Sequence, residues 1–163
     1  MSEVWLAFFP PRVRLMKVAI LMGSEKDSDK MQPAADVLAG FGISHEVHVM
    51  SAHRTPARVA EFASAARDNG FGAIICGAGK AAHLAGAVAA HSDLPVIGVP
   101  IAAGKLGGMD ALLSTVQMPT GIPVATVAVD SSANAAYLAA SILSLQDEKV
   151  ADKLAEYRES LKG

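Results

Sequence analysis

The 163-residue chain is expected to be an α/β protein, a doubly wound, parallel, five-stranded sheet in a three-layer α/β/α arrangement. Three observations predict it. Apolar runs without alternation, such as Val18-Ala19-Ile20-Leu21-Met22, suit strands buried on both faces. Helical patterns separate these runs, so successive strands are joined by crossovers and lie parallel. The loops that follow the runs hold glycines and clustered polar groups, as the ligand edge of such a sheet does.

From Lys17 the pattern is regular. Residues 18–22 form a strand that stops at Gly23-Ser24. Asp27, Ser28 and Asp29 offer N-caps for a helix to about residue 41, in which Pro33 is tolerated only near the first turn. Residues 43–50 alternate apolar and polar in the manner of a half-buried strand, and Thr55-Pro56 reads as N-cap and first position of a helix over 56–69. A strand over 72–76, a helix over 80–91 and a strand over 95–99 follow. After a glycine-rich loop come a helix over 109–116, a strand over 124–129 and helices over 133–145 and 147–161, the last amphipathic and charged. The expected strand order is the flavodoxin-like 2-1-3-4-5.

No linker, low-complexity tract or repeat interrupts residues 16–163, which read as a single domain. Residues 1–15 read as an amino-terminal extension outside the fold. Their apolar run, Val4-Trp5-Leu6-Ala7-Phe8-Phe9, is far shorter than a membrane span and is ended by Pro10-Pro11. It lacks the basic start and the small-residue cleavage site of a secretory signal, and Met16 is an alternative translation start.

Apolar residues make up 52% of the chain, with an excess of Ala, Val, Ile and Leu that predicts helices packed against other subunits, hence a homo-oligomer. A net charge of −2 without a long charged run points away from nucleic acid and from anionic membranes. The single cysteine, Cys76, excludes an intrachain disulfide and fits a reducing, cytoplasmic setting.

The chemistry gathers in three loops. Ser51-Ala52-His53-Arg54-Thr55-Pro56 places a hydroxyl, an imidazole and a guanidinium at the end of the second strand. Taken alone, His53 reads either as a functional loop histidine or as a cap for the neighbouring helix. After the first strand, Gly23-Ser24-Glu25-Lys26-Asp27 reads equally as an ordinary turn or as an anion site at a helix N-terminus. After the third, Gly77-Ala78-Gly79 is expected as a loop whose backbone approaches a ligand closely. His83 is expected in the first helical turn beyond it, where the dipole favours a neutral imidazole.

Familiar fingerprints fail there. Ile74 stands where the first glycine of a phosphate-binding Walker loop belongs, and Ala81 follows Lys80 where Ser or Thr is required. Gly77-x-Gly79-x-x-Ala82 has loose dinucleotide spacing, but it follows the third strand, and Asp93 precedes the next one, so no nicotinamide or flavin cofactor is expected. His45 and His48 sit on an alternating strand, and His91 ends a helix, where an imidazolium suits the dipole. Cys76, His53 and His83 lack zinc-like spacing, so no metal site is expected.

As an ordered set, Met22-Gly23-Ser24, the Ser51 to Pro56 motif, Gly77-Ala78-Gly79 with Ala81-Ala82-His83-Leu84, Pro95-Val96-Ile97-Gly98-Val99-Pro100 and Val116-Gln117-Met118-Pro119 with Gly121-Ile122-Pro123-Val124 resemble the PurE family of purine biosynthesis. The closest likeness is to its class I N5-carboxyaminoimidazole ribonucleotide mutases, and it runs from Lys17 to the end.

The resemblance implies a cofactor-free isomerase of purine (IMP) biosynthesis. It would interconvert N5-carboxyaminoimidazole ribonucleotide and 4-carboxy-5-aminoimidazole ribonucleotide, as a homo-octamer with sites at subunit interfaces. It implies His53 as general acid/base, Ser51, Arg54 and Ser24 as contacts to the nucleotide and its phosphate, and Asp27 on the ribose hydroxyls. Gly77, Ala78, Gly79, His83 and Leu84 would wall the base and carboxylate pocket. The chain departs from the family at Lys26, Lys80 and Ala85, where the family usually has Ser, Gly and Pro. Two rivals stand beside the mutase: a direct aminoimidazole ribonucleotide carboxylase using CO2, and a non-catalytic nucleotide-binding module. Arg54 and Gly77-Ala78-Gly79 weigh against the first, whose sequences usually carry Lys and a different loop there.

Overall fold

Why β1 (Lys17–Met22) is apolar at nearly every position follows from its surroundings in the computed structural model, which describes residues 16–163. Val18, Ile20 and Met22 join one buried cluster, while Ala19 and Leu21 join a second on the opposite face. The extension read over residues 1–15 lies outside the described residues.

Around β1 stand β2 (His45–Val49), β3 (Phe71–Gly79), β4 (Val96–Ile101) and β5 (Ala125–Thr126), all parallel, in the order β2-β1-β3-β4-β5. This is the expected topology. One face is covered by α1 (Ser28–Phe41), α5 (Ser132–Leu143) and α6 (Glu148–Ser160); the other carries α2 (Pro56–Ala65), α3 (Leu84–His91) and α4 (Met109–Val116). Among the described residues no helix is long and apolar enough to cross a membrane.

The start of α1 differs from its expected caps. A single 3-10 turn, Glu25–Asp27, precedes it and is capped by Ser24, whose oxygen accepts the Lys26 N–H at 3.3 Å. Asp27 occupies the N-cap position of α1 without a capping bond from its side chain. Pro33 falls inside the helix, on its exposed side. At the other end Gly42, at φ +71°, closes a Schellman motif, with Gly42 N–H to Ala39 C=O and Ile43 N–H to Leu38 C=O, both at 2.9 Å.

Gly77-Ala78-Gly79 is not a loop but the last part of β3, registered against Val99-Pro100-Ile101. Packing explains the glycines. A Cβ on Gly77 would lie 2.3 Å from Met31 Sδ of α1, and one on Gly79 would lie 2.9 Å from Ala103 Cβ and 3.0 Å from the Ile101 carbonyl oxygen. Conversely, β5 is shorter than the strand expected over 124–129. Asp130 N–H reaches the Pro100 carbonyl at 2.9 Å, so Pro100 turns its amide side towards β5 but has no N–H to return. The ladder cannot continue in both directions there.

Candidate active site

With β1 and β3 central, β2 outside β1 and β4 outside β3, the chain leaves all four strands on one side of the molecule. Their loops enclose a cleft of about 580 Å³, whose lining includes Ser24, Asp27, Ser51, His53, Arg54 and His83. Ala78, Gly79 and Leu84 also reach it, whereas Gly77 does not line it and is buried beneath Met31.

The segment 51–55 is held by its own hydroxyls. Ser51 Oγ accepts the N–H groups of His53 (3.3 Å) and Arg54 (3.2 Å), which leaves its hydroxyl hydrogen to donate elsewhere. Thr55 does not cap α2 as expected. Its Oγ1 accepts from Ser51 N–H at 3.0 Å and donates to Ser51 C=O at 3.1 Å. A hydroxyl turned back into this loop cannot reach the helix, and the turn it closes leaves His53 and Arg54 exposed. Arg54 Nη2 donates to Gly23 C=O at 2.7 Å, joining the loops after β1 and β2 while the rest of its fork stays free for an anion.

His83 lies at the N-cap position of α3 and not within the first turn, which begins at Leu84. Its Nδ1 is 2.7 Å from His53 Nε2, with ring planes at 83° and centroids 4.8 Å apart. Only one of those nitrogens carries the hydrogen between them, so the tautomers of the two rings are linked. Lys80, expected to begin the helix, instead takes a left-handed backbone with φ +56°. That conformation costs a residue with a Cβ about 1–2 kcal/mol.

One ion pair at the cleft escaped the sequence reading. Lys30, on the cleft wall, pairs with Asp130, which also accepts the Ala102 N–H at 2.9 Å. Burial pushes the Asp130 carboxyl up, but the hydrogen bonds from Lys30 and Ala102 and the Lys30 charge together hold it below the ordinary value. The pair ties α1 to the loops after β4 and β5. At Asp27 the balance reverses: burial raises the carboxyl above its ordinary value, only partly opposed by the Lys30 charge.

Fold and cleft define an open α/β protein with a small-molecule site of mainly cationic character at the carboxyl edge of its sheet. A family model described as AIR carboxylase matches residues 17–163, and the chain belongs to that family. It is 52% identical over 151 residues to the N5-carboxyaminoimidazole ribonucleotide mutase of Pyrococcus abyssi, covering 93% of this chain and 87% of that protein. It is 51% identical to the mutase of Thermotoga maritima, covering 90% and 85%. Among solved structures, Treponema denticola PurE superposes with a TM-score of 0.79 at 33% identity, over 89% of this chain and 90% of that one.

Proposed function

We infer that this chain is an N5-carboxyaminoimidazole ribonucleotide mutase acting in purine (IMP) biosynthesis, with His53 as its general acid/base. The observation that carries the reading is the hydrogen-bonded His53 in the cleft of a chain so similar to proteins of that name. In the reaction, the N–CO2 bond of the carbamate breaks as the exocyclic nitrogen takes a proton, releasing CO2 inside the cleft. C4 then forms a C–C bond to that CO2 and gives up its own proton. Atoms and charge balance without a cofactor.

His53 is equipped for both transfers. While its Nε2–H donates to His83 Nδ1, His53 as an imidazolium gives its Nδ1 hydrogen to the exocyclic nitrogen, and the neutral ring then takes the C4 proton at the same Nδ1. Arg54 and Ser24 take the phosphate, Ser51 donates its remaining hydrogen to the nucleotide, and Asp27 accepts from the ribose hydroxyls. Ala78, Gly79, His83 and Leu84 form the wall that confines CO2, and Gly77 acts one layer below by admitting Met31.

The enzyme is read as cytoplasmic and as a homo-octamer that binds neither nucleic acid nor membrane. Exposed Leu106, Met109, Leu113 and Val116 on and beside α4 support self-association, which sedimentation equilibrium measures. The deciding assay offers N5-carboxyaminoimidazole ribonucleotide in one arm and aminoimidazole ribonucleotide with bicarbonate in the other, both without ATP. Rapid conversion in the first arm is expected; turnover confined to the second would replace the mutase by the carboxylase.

A further inference from the structure

Lys80 combines three features that its fold does not require. It lines the cleft, it is exposed, and it holds a left-handed backbone that favours glycine. Its side chain forms no ion pair among the described residues, although Lys30 on the same cleft is committed to Asp130. The stem has a defined course. A Cβ built on Gly104 would meet Lys80 Cε at 3.2 Å and Cγ at 3.9 Å, so the methylenes lie across Gly104, which is itself at φ +79°. The missing side chain at 104 makes room for the lysine, and the left-handed turn at 80 directs it there.

A strained residue whose charge has no ion-pair partner among the described residues, laid along a cleft on a bare glycine, points to a ligand of opposite charge. We propose that Lys80 binds an anionic oxygen group of the nucleotide in this cleft, its ammonium supplying a contact that glycine at this position could not. The proposal rests on the mutase reading and names the chemistry it adds. The group is either the phosphate or the migrating carboxylate. Gly104 takes part by seating the stem.

Asparagine tolerates the left-handed conformation and removes the charge; arginine retains the charge. Calorimetric titrations of wild type, Lys80→Asn and Lys80→Arg with aminoimidazole ribonucleotide and with its 4-carboxy derivative separate the two anions. Loss of one charge-assisted hydrogen bond should weaken binding by about tenfold or more in Lys80→Asn, with Lys80→Arg close to wild type. An equal loss for both ligands assigns the phosphate, and a loss confined to the carboxylated ligand assigns the carboxylate. Gly104→Ala should reproduce part of the loss. Unchanged affinity of Lys80→Asn for both ligands overturns the proposal. Because binding is read apart from turnover, a wild type that binds both nucleotides but does not convert N5-carboxyaminoimidazole ribonucleotide to its 4-carboxy isomer overturns the mutase reading and not this one.

Discussion

At Asp27 the protein keeps a carboxylate where burial works against its charge. The unfolded chain releases this proton at the ordinary carboxylate pH, the folded chain only above it. Between those values the folded state binds more protons, so this residue's contribution to stability falls as pH rises through the window. Asp27→Asn should therefore raise the stability of the ligand-free protein near neutrality by about 0.5 kcal/mol, the scale of a polar substitution at a partly exposed position. It should also flatten the pH dependence above about pH 4, and weaken nucleotide binding if the carboxylate meets the ribose. Denaturant midpoints from pH 4 to 8 check this; a variant with the wild-type profile would show that burial at Asp27 carries no such penalty. The same scale shows what a sequence hides. Lys30 and Asp130 are 100 positions apart, and nothing local marks either as the other's partner. His53 and Arg54, by contrast, announce themselves beside Ser51, because the hydroxyl that holds both backbone N–H groups is only two and three residues away.

Among the elements, those whose role is set by burial were legible. β1 and β4 read as continuous apolar runs because both faces are covered. The end of β3 was not, because glycine has the same letter whether it bends a loop or lets neighbours close in. In β3 it does the second: Gly77 admits Met31, and Gly79 admits Ala103 and the Ile101 carbonyl. Gly79→Ala should thus cost about 1–3 kcal/mol, as overpacking does, and displace the 101–103 wall of the cleft. A wild-type urea midpoint with unchanged nucleotide affinity would refute that reading. β5 fell short of its apolar pattern for a reason two strands must share: Pro100 on β4 cannot return a hydrogen bond.

For the whole molecule, strand order turns separate loops into one site. The order β2-β1-β3-β4-β5 brings Gly23-Ser24, His53-Arg54, His83 and Ala102-Ala103 round one cleft, although they are spread over 80 residues of chain. That convergence follows from five parallel strands and right-handed crossovers, so the cleft's place was readable from pattern alone. Its finer geometry was not. The 2.7 Å contact between His53 and His83 goes with His83 standing just before α3, which begins at Leu84 and not at Lys80, a boundary that periodicity does not resolve.

In the proposed reaction His53 moves the proton at both nitrogen and carbon, while His83 orients its ring and the rest of the cleft holds the nucleotide and confines CO2. The measurement is the rate at which His53→Asn interconverts N5-carboxyaminoimidazole ribonucleotide and 4-carboxy-5-aminoimidazole ribonucleotide, with nucleotide affinity determined in parallel. Turnover should fall by about 10²–10⁴-fold while affinity stays within a few-fold of wild type. Turnover at the wild-type rate would contradict the claim.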